Sequence, residues 1–145
     1  MKVLAKSSNN STKGCVRNLQ QVTSISCMPK MCENWGYQKL EEYIKIQSIG
    51  EMKHAQALME RILFVDGSPS MKPLELTVGK NVQEMLQSDL DLEPGAVQDC
   101  NAAIQIAVAE KDNGSRDLLV QLLKDQEGHV DWLETQIHQY QRAGL

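Results

Sequence analysis

The feature that most constrains this chain of 145 residues is a Glu-x-x-His pattern, Glu51 to His54, set within an apolar helical stripe. The side chains of the stripe stand three or four positions apart: Glu51, His54, Leu58, Ile62 and Val65. That spacing puts them on one face of an α-helix covering roughly residues 37–65. A carboxylate and an imidazole among aliphatic side chains are costly unless they pair with each other or hold a metal ion. The pattern therefore predicts a packed helix with either a hydrogen-bonded pair or a metal-ligand pair at mid-length.

The same helix has a second apolar stripe, lying about 100° around its axis from the first. This stripe consists of Ile49, Met52, Met59 and Leu63. A helix with two apolar faces buries one in its own core and the other against something else. Asp66-Gly67 and Pro69 predict the end of this helix.

Two more helices are predicted after a long loop at residues 67–80. One carries an apolar stripe made of Val82, Leu86, Glu93, Val97, Cys100, Ile104 and Ala107. Pro94-Gly95 predicts a kink or a local break in it. Asp112 to Ser115 predicts a turn, with Ser115 as the N-cap of the last helix.

The lengths of the connections predict how the helices run. The short turn near 112–115 makes the last two helices antiparallel neighbours. The loop at 67–80 spans about 46–50 Å when extended, whereas a helix of about 29 residues is roughly 44 Å long. The loop can therefore run the length of a bundle and leave the two helices that it joins parallel.

The chain divides by composition into residues 1–32 and residues 33–145. The first part holds five basic residues and no acidic one, is rich in serine and asparagine, and shows no helical stripe. It is predicted to be a disordered tail, although transit peptides have a similar composition. The second part holds 10 basic and 19 acidic residues, which argues against general nucleic-acid binding. No apolar run is long enough to cross a membrane.

Polar side chains also interrupt the inner faces of the other two helices. Glu93 lies in the middle of one apolar stripe, and Gln126 and His129 lie three positions apart on another. Together with Glu51 and His54 they predict metal-capable groups that converge at mid-bundle. The alternative is a set of mutually satisfied buried polar groups. The remaining histidine, His138, is predicted to lie at the surface.

Three stretches resemble bacterioferritins: ENWGYQKLEEY…SIGEMKHAQALMERILFVDG, NVQEMLQSDLDLE and SRDLLVQLLKDQEGHVDWLETQ. The resemblance runs from about Met31 to Leu145. It implies an all-α, ferritin-like four-helix bundle with one long crossover, in a cytoplasmic iron-storage protein. It also implies self-association through a twofold dimer into a 24-subunit shell. Each bundle would hold a di-iron centre that oxidises iron(II) with oxygen or peroxide, making the protein a ferroxidase.

The resemblance assigns roles to individual residues. Glu51, His54, Glu93 and His129 match di-iron ligand positions, and Gln126 stands where the family has a glutamate ligand. A haem b would lie on the twofold axis, with Met52 as the axial ligand from each subunit. The position of Met52 on the second stripe supports this, because a thioether there can meet its symmetry mate and is a soft iron ligand.

The chain departs from the family at several supporting positions. Gln126 replaces a carboxylate, and Glu127 cannot substitute for it because it projects about 100° away. Acidic residues common in the family are absent at Gln47 and Gly50, and the glutamate of the first helix is replaced by Asn18. Of the four ligand carboxylates that the resemblance implies, only two remain. Iron oxidation by this sequence is therefore predicted to be slow or absent. The family also continues past Leu145 into a short fifth helix.

A frame error is one hypothesis for the anomalous segment that stands in place of the first bundle helix. The codons that can encode residues 3–30 can also be read in a shifted frame. In that frame each new codon consists of the third base of one original codon and the first two bases of the next. This frame permits LGKVIEQLNEGLREELTAGHQYFLHAK, an amphipathic sequence similar to bacterioferritins, with glutamate at position 18. The hypothesis is two compensating errors, near Val3 and near Lys30. The same frame in independent DNA reads, without short insertions or deletions, would contradict it.

Three functions are compatible with these observations. The first is an iron-storage ferroxidase subunit. The second is a haem-binding shell subunit with impaired ferroxidase activity, which co-assembles with a second, active ferritin-like subunit. The third is a helical interaction module without a metal.

Overall fold

The computed structural model describes residues 27–69 and 79–144, and all regular structure in these two ranges is helical. Helix α1 covers residues 27–34, α2 runs from Gln38 to Phe64, α3 from Val82 to Ala109, and α4 from Asn113 to Ala143. The prediction of an all-α fold is confirmed. Asn18 and most of the shifted-frame segment lie outside the described residues, as does the middle of the predicted crossover loop.

Helix α1 crosses the predicted boundary between residues 32 and 33. Its residues Met28 and Cys32 are 1% and 0% exposed, and they pack in one cluster with Ile44 and Met85. Because these two apolar side chains stand four positions apart, they share the inner face of the helix. The prediction of a tail that reaches residue 32 is therefore wrong for residues 27–32. For residues 1–26 it stays a prediction.

Helices α3 and α4 pack against each other in opposite directions. Leu86, near the start of α3, packs in one cluster with Leu133 of α4. Ala107, near the end of α3, packs with Leu119, in the second turn of α4. The antiparallel arrangement predicted from the short turn is confirmed.

Helix α2 runs parallel to α3. Ile44, in the first part of α2, shares a cluster with Met85 at the start of α3. Leu58, in the last third of α2, shares a cluster with Ala103 near the end of α3. This is the arrangement that the long connection predicted.

Pro94 lies inside α3, which continues through it without interruption. The predicted local break is therefore wrong. Pro94 is exposed, while its neighbour Glu93 is fully buried. The backbone hydrogen bond that a proline cannot form is thus lost on the hydrated side of the helix, where water can replace it.

The N-cap of α4 is Asp112, whereas the sequence analysis predicted Ser115. The Asp112 Oδ1 accepts a hydrogen bond from the Ser115 backbone N–H at 3.1 Å. The Ser115 hydroxyl donates to Asp112 Oδ2 at 2.6 Å and accepts from Arg61 Nε at 2.9 Å. Since Arg61 also binds Asp112 at 2.6 Å, these three residues tie the end of α2 to the turn between α3 and α4.

Most of the second apolar stripe of α2 faces outward in the single chain, except Met59, which packs against Ile62 and Val65. Ile49, Met52 and Leu63 are 40%, 46% and 59% exposed. None of the helices within residues 27–69 and 79–144 has the length and apolar character needed to cross a membrane.

Candidate metal centre

The inner faces of α2, α3 and α4 bury four titratable side chains and one amide near the middle of the helices. Their exposed fractions are between 0% and 4%: Glu51, Asp89, Glu93, Gln126 and His129. Burial of so many polar groups among aliphatic side chains is costly without mutual contacts or bound ions. The contacts divide them into two neighbouring groups.

The first group joins α3 to α4. His129 Nδ1 lies 2.9 Å from Glu93 Oε1, a hydrogen bond between two fully buried side chains. On the opposite edge of the ring, His129 Nε2 lies 3.6 Å from Asp89 Oδ2. An acid thus faces each nitrogen of the imidazole.

The second group joins α2 to α4. Gln126 Nε2 donates to both carboxylate oxygens of Glu51, at 3.2 Å each. His54 Nδ1 lies 3.5 Å from Glu51 Oε1, and His54 Nε2 lies 3.1 Å from Asp125 Oδ2. The amide of Gln126 therefore contacts both carboxylate oxygens of Glu51.

The two groups come together less closely than a preformed metal site requires. Within the described part of the chain, no three His, Cys, Asp or Glu side chains are placed to hold one metal ion. The groups nevertheless lie within electrostatic range, because the charge of Glu51 raises the pKa of both His129 and Asp89. The structure brings together the predicted residues Glu51, His54, Glu93, Gln126 and His129, while their role as ligands stays a prediction.

Burial and the neighbouring charges together raise the pKa of three groups in this cluster. Burial raises the pKa of Asp89 to about 7; the Glu93 and Glu51 charges add to this, and the His129 charge opposes it. For His129, burial lowers the pKa, but the Glu93 hydrogen bond and the surrounding carboxylates raise it above its ordinary value. For His54, the contact with Glu51 is the largest cause of a raised pKa.

These raised pKa values predict how the stability of the metal-free protein depends on pH. The folded state retains protons that the unfolded state releases. For Asp89 this holds from pH 3.8 to about 7, and for His54 and His129 it holds above pH 6.5. Stability must then fall as the pH rises, by about 1.4 kcal/mol per pH unit for each extra bound proton. We expect the melting temperature to decrease between about pH 6 and about pH 8, and Asp89→Asn to flatten the lower part of this decrease. A melting temperature that is constant or rises over this range would contradict the expectation.

Two residues of the site were missed by the sequence analysis, Asp89 and Asp125. Asp89 stands four positions before Glu93, and this spacing on a stripe already interrupted by one acid could have identified it. Asp125 reaches His54 from a position beside the inner face of α4, and its side chain is 44% exposed. No helical stripe marks such a position.

The other predicted positions lie around the site or on the outside. Gln47 and Gly50 are partly buried, and a Cβ added at Gly50 would meet no atom within 4 Å. An acidic side chain could therefore be accommodated at Gly50. Met52 lies on the exposed face of α2, and His138 is exposed on α4, as predicted.

Comparison with known proteins agrees with the helical fold. Residues 22–143 match the ferritin family, described as the ferritin-like domain. The chain belongs to the ferritin-like family. The match begins at residue 22, earlier than the start near Met31 that the resemblance suggested.

Several relatives within the ferritin-like family are bacterial. The chain is 39% identical to the bacterial ferritin of Synechocystis over 118 residues, which are 80% of this chain and 76% of the relative. It is also 39% identical to the bacterial ferritin of Pseudomonas aeruginosa over 117 residues, with the same coverage. The bacterioferritin of Mycobacterium avium is 34% identical over 117 residues, 80% of this chain and 74% of the relative. These relationships support iron storage at the level of the family.

Proposed function

We propose that this chain is a bacterioferritin-like, iron-storing subunit that binds iron(II) within its helical bundle and oxidises it slowly. The observation that carries the proposal is the pair of buried acid–imidazole contacts, Glu93 with His129 and Glu51 with His54. Carboxylate oxygen and imidazole nitrogen are both ligands that divalent iron accepts. Ferritin-like di-iron proteins use this same combination from facing helices.

Iron(II) is the substrate of this reaction. Its binding requires ionised carboxylates and a free lone pair on each imidazole, so protons retained by the metal-free site are released as the ion enters. Glu51 and His54 would hold one ion, and Glu93 and His129 the other. Each ion then loses one electron to oxygen or peroxide, and the ferric product is stored as a mineral.

The rate is limited by the charge of the site. Of the proposed ligands only Glu51 and Glu93 are carboxylates, and the neutral amide of Gln126 adds no charge to balance two divalent ions. Gln126 also donates to both oxygens of Glu51, and this contact competes with metal binding for the electron pairs of that carboxylate. We therefore expect oxidation that is slower than with a full carboxylate set.

A second function is favoured by Met52. Its thioether lies near Ile49 on an exposed apolar face, where a copy of the chain can pack and where a soft ligand for haem iron is available. A haem b held there by Met52 of two subunits would supply electron transfer for the release of stored iron. Self-association through this face into a shell, alone or with an active ferritin-like subunit, belongs to the same proposal.

A matched pair of variants tests the metal-binding function. His129→Gln removes a buried imidazole, whereas His138→Gln removes an exposed one from the same helix. After anaerobic loading with iron(II) and exposure to oxygen, we expect a near-ultraviolet ferric absorbance from the wild type and from His138→Gln. For His129→Gln we expect a loss of about 10-fold or more in the initial rate.

The outcomes separate the alternatives. Equal rates for His129→Gln and wild type would contradict the intra-bundle site. A Soret band that Met52→Ala abolishes, without any iron oxidation, would favour the haem-binding shell subunit. Neither signal, together with a monomeric mass, would favour the helical module without a metal.

A further inference from the structure

Both tryptophans and all three tyrosines of the chain line two open cavities at one end of the described helices. The first cavity, of about 550 Å³, lies between the turn before α2, the start of α2 and the C-terminal part of α4. The second, of about 490 Å³, lies against the start of α3. Tyr37 and Tyr140 line both, and their ring centroids are 6.2 Å apart. The two cavities therefore adjoin at this pair of rings.

Helical spacing brings the side chains of the first cavity together. Trp132, Gln136 and Tyr140 stand four positions apart and therefore share one face of α4. Tyr43 of α2 stacks on Trp132, with 4.0 Å between the ring centroids and 15° between the planes. Because each ring of the stack restricts the other, this side of the cavity is formed before any ligand binds.

The aromatic rings around the first cavity are not completely covered by the protein. Tyr37 is 38% exposed, and Tyr43, Trp132 and Tyr140 are only partly buried. Cavities of about 300–1,000 Å³ with a mainly apolar and aromatic lining and a few polar groups are typical of sites for small molecules. The first cavity has this size and this kind of lining.

The charge of the lining differs from that of the chain around it. Lys39 lines the first cavity and Lys80 the second, and no acidic residue of the described ranges lines either. Residues 33–145 as a whole hold 19 acidic and only 10 basic residues. The amides of Gln38 and Gln136 add hydrogen-bond donors to the first cavity. A negatively charged ligand is therefore favoured here, whereas most of the surface repels it.

We propose that the first cavity binds a planar aromatic ligand that carries a negatively charged group. The ring system of the ligand would cover Tyr37 and Tyr140 beside the Tyr43–Trp132 stack, through the offset or edge-to-face contacts that aromatic rings prefer. The ammonium group of Lys39 would bind the charged group. None of the proposed iron ligands lines this cavity, so the inference does not depend on the proposed function.

Flavin mononucleotide and riboflavin are matched probes of this site, since they share one planar ring system and only the mononucleotide carries a phosphate. Flavin fluorescence decreases when the ring stacks on tyrosine or tryptophan, so a titration with the full chain measures binding. We expect flavin mononucleotide to bind with a dissociation constant on the order of micromolar, and riboflavin to bind about 10-fold more weakly. Equal affinities would overturn the preference for an anion, and a lack of quenching with both probes would overturn the site.

Lys39→Gln removes the positive charge from the cavity. Lys45→Gln is the matched control, because Lys45 is exposed on the same helix and does not line the cavity. We expect Lys39→Gln to weaken the binding of flavin mononucleotide about 5- to 10-fold and to leave the binding of riboflavin unchanged. Affinities for flavin mononucleotide within about twofold in the two variants would overturn the role of Lys39.

Tyr37→Ala removes a ring from the cavity, and Phe64→Ala removes a 65% exposed ring from the other end of α2. The Tyr37 side chain forms no capping hydrogen bond with α2, so its loss leaves the helix in place. We expect Tyr37→Ala to weaken the binding of both flavins about 5- to 10-fold and Phe64→Ala to bind them as the wild type does. Equal affinities in these two variants would overturn the location of the site.

Discussion

Replacing Gln126 with glutamate is expected to raise the affinity for cobalt(II) or iron(II) about 100-fold or more, because it adds a negative charge within a few ångströms of the ion. The Gln126 side chain is 2% exposed and already touches both oxygens of Glu51. A carboxylate in this place would add a ligand to the proposed site. We expect the rate of iron oxidation to increase with the affinity.

The same change should destabilise the metal-free protein. Without an ion, two buried carboxylates would face each other where an amide now donates to Glu51. Burial of a second carboxylate without a compensating positive charge costs about 3 kcal/mol, which corresponds to a decrease of about 6–12 °C in melting temperature for a chain of this size. Gln126→Glu should therefore melt below the wild type without metal and above it with cobalt(II).

Gln139→Glu is the matched control, since Gln139 is exposed on the same helix. It should leave both the cobalt(II) affinity and the melting temperature close to their wild-type values. Unchanged cobalt(II) affinity in Gln126→Glu would contradict the placement of this side chain at the metal site.

Replacing residues 4–30 with the shifted-frame peptide LGKVIEQLNEGLREELTAGHQYFLHAK is expected to produce the second large effect. The peptide has the amphipathic pattern of a bundle helix, and each large apolar side chain that it buries stabilises the fold by roughly 1.5–3 kcal/mol. We expect higher helical ellipticity, a higher melting temperature and faster iron oxidation. The first two follow from the added helix, and the third from the glutamate at position 18.

A version of the peptide that keeps asparagine at position 18 separates these effects. It should gain the helix and the stability but little of the oxidation rate. If neither version has more helix or stability than the original chain, the frame-error hypothesis loses its structural support. Residues 1–26 lie outside the part of the chain that the structure describes, so this experiment is the direct test of that segment.

Helical periodicity was sufficient to predict most of the described fold. The stripe that contains Leu58 and Ile62 predicted both the existence of α2 and its buried face, because burial of one face is what makes an amphipathic helix stable. Errors arose where a local signal competed with packing. Pro94 is compatible with a continuous helix because it lies on the hydrated side, and Met28 is buried although it lies in a polar segment.

The sequence by itself determined which helix faces carry Glu51, Glu93 and His129, because spacing along a helix specifies direction around its axis. Only the tertiary structure decided which atoms of these side chains meet. It turned Nδ1 of each imidazole toward a glutamate, placed Asp89 and Asp125 behind the rings, and set the amide of Gln126 against Glu51. Rotamers and distances between helices depend on packing across the core, which residues distant in the chain establish together.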